Sequence, residues 1–202
     1  MTVRRRRSIM VFLLHQLTFL SDLLQALSLV TVTGLAGLAF GTLSTLLADR
    51  RAILSAQAAA SSLFVLHFLC LGARTGMLMC LLGLVQMAAS YPRRRTWRLN
   101  ALFAATVPAA LAVAAVTWQG PMSGLSATGF ILATLGRWQT DVARMRLFFV
   151  VATLVGAGHN TLAGSVFGLC SDAMGLSGHG WRLWRAHADR RVVAEHPALV
   201  AA

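Results

Sequence analysis

The chain has 202 residues, 57% hydrophobic and only 12% charged, about half the charged fraction of an ordinary soluble domain. Its formal charge of +12 is carried on the basic side by arginine alone. Those arginines cluster at the ends of apolar runs, which points to a positive-inside bias rather than to a nucleic-acid-binding face. Apolar runs near twenty residues recur, long enough to cross a bilayer, and they are continuous rather than alternating, which argues against a strand-built barrel.

The opening "MTVRRRRSIMVFLLHQLTFLSD" (1–22) joins a basic segment to an apolar one, as a secretory signal does. His15 and Gln16 interrupt the apolar part and no small-residue cleavage site follows. A weak twin-arginine address, an extra short helix, a surface helix and an over-long start with Met10 nearer the true beginning all stay open. Seven spans follow: Leu23 to Ala48, Ile53 to Leu71, Gly76 to Ser90, Asn100 to Trp118, Pro121 to Gly136, Met145 to Ala163 and Ser165 to Trp181. Residues 186–202 read as a tail. The fold expected is all-α: a polytopic membrane helical bundle of about seven transmembrane helices occupying residues 23–185.

The arginines fall on one side of these spans. "DRR" (49–51), "PRRRTWR" (92–98), "RWQTDVARMR" (137–146) and "WRLWRAHADRR" (181–191) share it, whereas the other side carries only Arg74. The rich side is expected to be the cytoplasm, with the C-terminus inside. Trp97, Trp138, Trp181 and Trp184 beside the arginines fit interfacial anchors, and Trp118 fits one on the outer side. The run Arg4 to Arg7 breaks this rule unless residues 8–24 form an eighth helix.

An ungapped offset of 92 residues pairs Gly37 with Gly129, Thr42 with Thr134, Asp49 with Asp141, His67 with His159, Gly72 with Gly164 and Gly76 with Gly168. "HFLCLGARTG" (67–76) and "HNTLAGSVFG" (159–168) share a histidine followed by two glycines at equal spacing. Such glycines suit a tight turn and close helix approach. The pairing implies a repeat of 23–90 and 121–182, with the helix 100–118 between them. One intervening helix makes the two triplets parallel, an arrangement that places a solute site between halves.

Polar groups inside spans are costly and mark cavities or partners. Asp172 lies about 10 Å below the turn near Ala163 to Ser165 at 1.5 Å per residue, and is expected to bind a solute or a proton. His67 and His159 lie nearer the turns and are expected to line an outer vestibule, with Asn160 reading a hydroxyl or amide. Gln57 and Gln86 suit interhelical hydrogen bonds, and Pro108 a tolerated kink. Cys70, Cys80 and Cys170 have no metal or redox spacing and read as buried small hydrophobes. Two histidines do not make a zinc site, so no metal and no cofactor is expected. No nucleophile elbow, phosphate loop or zincin motif occurs, so the chain is not expected to be an enzyme.

The segment "LFVLHFLCLGARTGMLMCLLGLVQMAAS" (63–90) together with "HNTLAGSVFGLCSDAMG" (159–175) and "RLWR" (182–185) resembles the YgjV-type bacterial inner membrane proteins. Asp172 falls where that family usually carries glutamate. The resemblance covers about residues 34–185. It implies an inner-membrane location and a bundle akin to SWEET and PQ-loop proteins, and it implies no substrate. The chain departs from PQ-loop proteins in having no Pro-Gln dipeptide, and from the family in having only Pro121 at the start of the fifth span. A SWEET-type hinge does not follow from it. The expected partners are the lipid bilayer and a small polar solute, with no nucleic acid; self-association stays open. A non-transporting receptor or assembly protein on the same fold is the alternative to a transporter.

Overall fold

The computed structural model describes residues 28–92, 94 and 96–195. The basic N-terminal segment and the first residues of the first expected span lie outside the described residues. Among the described residues there are seven helices and no strand: α1 (Leu29–Leu46), α2 (Arg50–Cys70), α3 (Arg74–Ser90), α4 (Trp97–Val116), α5 (Pro121–Trp138), α6 (Val142–Leu162) and α7 (Val166–Glu195). Each expected span is a helix. The last is longer than expected: α7 has 30 residues and runs into the segment read as a tail. "RAHADRRVVAE" contains neither glycine nor proline, so nothing local stops the helix where the apolar stretch ends.

Local chemistry sets the boundaries. Asp49 caps α2 by accepting from the Arg51 and Ala52 amides, and Asp141 caps α6 by accepting from the Arg144 amide. Gly72 and Gly164 adopt φ of 70° and 65°. This left-handed conformation ends α2 and α6, with the Ala73 amide donating to Phe68 O and the Ser165 amide to Asn160 O. The correspondence extends to whole elements. Displaced by 92 residues, Leu29–Leu46 becomes Pro121–Trp138 and Arg50–Cys70 becomes Val142–Leu162.

The helices pack as a closed ring in the order α1, α2, α3, α5, α6, α7 and back to α1, with α4 laid against α3 and α5. Burial differs from that of a soluble protein, with polar groups buried beside apolar ones and many large apolar side chains exposed. Gln86, Thr75, Ser123 and His67 are almost wholly buried, while Leu35, Leu69, Leu111, Leu147 and Leu154 are exposed. An apolar exterior around a polar interior is what hydrocarbon solvent selects. Four helices, α1, α2, α4 and α6, are long and apolar enough to cross a membrane. The 17-residue α3 is also apolar. Both α5 and α7 are less apolar: α5 carries Ser123, Thr134 and Arg137, all buried, and α7 runs on into an arginine-rich end.

Two apolar clusters fill what the polar groups leave. Ile53, Leu54, Met87, Met145 and Phe149 join α2, α3 and α6, and Met79, Ala110, Ala114, Ala127 and Phe130 join α3, α4 and α5. Pro108 lies inside α4. Cys70 and Cys170 are exposed, contrary to the expectation of burial, because their faces of α2 and α7 turn away from the ring; Cys80 is half-buried. Among the exposed tryptophans, Trp97 and Trp118 stand at the two ends of α4, whereas Trp181 and Trp184 lie within α7, which continues past them to Glu195.

Candidate functional site

Between the ring helices lies a partly open cavity of about 300 Å³, lined from both triplets. Small residues create the space: Gly41, Gly76 and Gly83 on one side, and Gly129, Gly156 and Gly175 on the other. The spacing is tight. A Cβ on Gly76 would stand 2.7 Å from His159 Nε2.

Three expected site residues meet at this cavity. Asp172, Asn160 and His159 all line it. Asn160 Nδ2 donates to Asp172 Oδ2 at 2.7 Å, tying α6 to α7. The carboxylate faces Gly156 of α6, where a Cβ would stand 3.6 Å from Asp172 Oδ1, an ordinary contact distance. His159 Nδ1 donates to the Met122 carbonyl of α5 across 3.1 Å.

His67 is placed differently. It is 1% exposed and is not among the cavity-lining residues. Its Nδ1 lies 3.0 Å from Val30 O and its Nε2 lies 2.9 Å from Ser165 Oγ. Met122 stands to His159 as Val30 stands to His67, at the same displacement. The difference lies at the other nitrogen. Ala73 occupies the position corresponding to Ser165, and His159 Nε2 has no partner among the described residues. His67 thus locks α1, α2 and the start of α7 together, while its counterpart keeps a free nitrogen beside the cavity.

That asymmetry gives a direct test. Ser165 both engages His67 and caps α7 by accepting from the Gly168 amide at 3.0 Å. Ala73 is buried at the N-cap of α3 with no side-chain cap. Ala73→Ser is expected to stabilise the protein by about 1 kcal/mol, supplying a cap and a partner for His159. Thermal unfolding in detergent reads this as a raised midpoint; an unchanged or lowered midpoint contradicts the assignment of Ala73 as the missing Ser165.

The structure adds residues that the sequence reading assigned elsewhere. Arg137 and Arg146 were grouped with the loop arginines between the fifth and sixth spans. Arg137 instead occupies the last turn of α5, is 9% exposed and lines the cavity. Its Nη1 donates to Gln86 Oε1 at 2.9 Å, and its guanidinium lies against Gly83 of α3. Gln86 also donates to Thr106 Oγ1 at 2.6 Å and Thr134 Oγ1 at 2.7 Å, so it joins α3, α4 and α5. The signal for Arg137 was present in the 92-residue pairing, which aligns it with Thr45 inside the first span; Thr45 lines the same cavity. Gln57, expected to bond another helix, lines the cavity with its Oε1 unpartnered.

Arg146 is 4% exposed and turns into the bundle. It donates to Thr45 O at 2.8 Å, to Leu47 O, and to His179 Nδ1 at 3.0 Å. Arg182 donates to Leu46 O. Arg50 donates to Ser90 O at 2.8 Å, Arg137 O at 3.1 Å and Gln139 O at 3.3 Å. Arginine is a donor-only fork, suited to the unpaired carbonyls at a helix C-terminus. These arginines therefore close the ends of α1, α3 and α5 onto their neighbours.

No curated protein and no solved structure matches the chain. A family model does: the Imp-YgjV family, described as bacterial inner membrane protein, matches residues 3–190. A match across nearly the whole chain agrees with the apolar exterior and the bilayer-length helices, and the chain belongs to the Imp-YgjV family of bacterial inner membrane proteins.

Proposed function

We propose that this inner-membrane protein is a carrier for a small polar solute, working by alternating access around the cavity. In this proposal the helices form a seven-span bundle with the C-terminus in the cytoplasm. The triplets α1 to α3 and α5 to α7 are two parallel copies of one unit, with α4 as the connector. The carrying observation is the pairing of space with unsatisfied chemistry. Six buried side-chain polar atoms lack partners among the described residues, and four belong to cavity-lining residues: Gln57 Oε1, Arg137 Nε, His159 Nε2 and Asn160 Oδ1. Buried polar atoms are normally paired, so orphans on four residues that line one cavity fit an absent solute or ordered water.

Asp172 binds the solute or a coupled proton, with Asn160 and His159 as its neighbours in the site. His67 acts from outside the cavity by holding α2 against α1 and α7. The assignment is of a carrier and not an enzyme; steady turnover of a lipid or headgroup by the purified protein would contradict it.

The test is uptake into proteoliposomes, with solutes first chosen by ligand-dependent thermal stabilisation. Asp172→Asn is expected to lower uptake at least tenfold and to abolish stabilisation, and His159→Ala to lower uptake several-fold. Undiminished transport in both variants removes these residues from the site. Stoichiometric capture of one partner protein, with no solute moved, would favour a receptor or assembly role.

A further inference from the structure

The cavity carries two opposite charges that do not meet. Asp172 projects from α7, and the Arg137 guanidinium lies against α3. In the closed ring α3 and α7 stand opposite one another. Both residues line the cavity, and no ion pair joins them among the described residues. The side-chain partner shown for each is neutral: Asn160 for Asp172 and Gln86 for Arg137. The position on α3 that corresponds to Asp172 is Cys80, which also lines the cavity. The positive charge on the cavity wall therefore comes from Arg137 reaching in from α5.

The orphan atoms agree with the charges beside them. Next to the carboxylate, Asn160 Oδ1 is an unused acceptor; on the guanidinium, Nε is an unused donor. An ammonium group satisfies the first pole and a carboxylate the second. A solute with one charge matches only one pole, and a neutral solute matches neither, a penalty that grows as the site is walled off from water.

Resting on the carrier assignment, we propose that the solute is a small zwitterion of the amino-acid class, its ammonium group on Asp172 and Asn160 and its carboxylate on Arg137. A free volume of about 300 Å³ suits a solute of this size. The serines Ser126 and Ser171 also line the cavity and supply neutral hydrogen bonds along the solute.

The experiment uses the purified full chain, in detergent for thermal stabilisation and in proteoliposomes for uptake. Four probe sets are compared: glycine, β-alanine and longer ω-amino acids; primary amines of matched length; carboxylates of matched length; and neutral glycerol and glucose. The expected result is stabilisation and uptake by one length class of zwitterion, with its matched amine and carboxylate at least tenfold weaker. Asp172→Asn should shift preference toward the carboxylate, and Arg137→Gln toward the amine. Arg137→Lys keeps the charge and should keep zwitterion preference, so it decides the matter if Arg137→Gln fails to fold. Binding of glucose or glycerol as tight as any zwitterion, or a preference unmoved by Asp172→Asn and Arg137→Gln alike, overturns the zwitterion while leaving a carrier. Silence across all four sets overturns both.

Discussion

Arg146→Ala should destabilise the protein by about 4 kcal/mol, because charge-assisted hydrogen bonds are worth roughly 1.5–3 kcal/mol each and two carbonyls lose theirs. Arg146 is 4% exposed and serves Thr45 O and Leu47 O at the end of α1. Its removal strands acceptors that no intrahelical amide can reach. It also takes the donor from His179 Nδ1 on α7. Three ring members, α1, α6 and α7, are tied at this one side chain, so the loss should be cooperative rather than confined to a helix end. Arg146→Lys should recover less than half, since a single ammonium cannot span both carbonyls as a planar fork does. The exposed Arg144, two residues away, provides the contrast: its alanine variant should change stability by less than about 0.5 kcal/mol. Unfolding in mixed detergent measures all three. Equal effects at positions 144 and 146 would mean that the buried fork contributes nothing special.

Gln86→Leu should cost about 3 kcal/mol or more, and its most telling feature is that a second substitution should restore part of the loss. Gln86 is fully buried and is the side-chain partner of the Arg137 guanidinium. Leucine in its place leaves a cation in the bundle with no side-chain acceptor, while Thr106 and Thr134 still donate to Phe103 O and Phe130 O within their own helices. The damage is therefore concentrated on Arg137. The double variant Gln86→Leu with Arg137→Met removes the stranded charge and fills similar volume, so it should be more stable than Gln86→Leu alone. A double-mutant cycle gives the coupling directly. If the double variant is less stable than either single one, Arg137 is not held by Gln86 in the way the geometry indicates. The same double variant should lose its preference for a zwitterion over the matched amine, because stability and function draw on the guanidinium separately.

These expectations rest on residues whose part in the molecule was unevenly legible beforehand. The helices could be read because each boundary is a local event. Gly72 and Gly164 announce helix ends by the left-handed turn they allow, whereas Asp49 and Asp141, matched in sequence only by their spacing, are shown as helix caps by the structure. Asp172 stood out because a carboxylate has no inexpensive place in hydrocarbon. Asn160 and His159 adjoin it through a single helical hairpin, so short-range geometry brought them near the same cavity. His67 shows the limit. It is the counterpart of His159 in sequence, yet one neighbour decides between them: Ser165 completes the ring of His67, and Ala73 offers His159 nothing. That contact lies 98 residues away in the chain and belongs to a different helix junction.

The sequence by itself determined the solvent, the helical class and the approximate extent of the seven helices among the described residues, since length and hydropathy act over a few residues. Only the tertiary structure decided which way the arginines point. At the end of a span, a long cationic side chain reaches either outward to headgroups or inward to carbonyls, and its own sequence is the same in both cases. Arg137 and Arg146 turn inward because Gln86 and the end of α1 supply acceptors there, and those acceptors come from helices that meet them only when the ring closes.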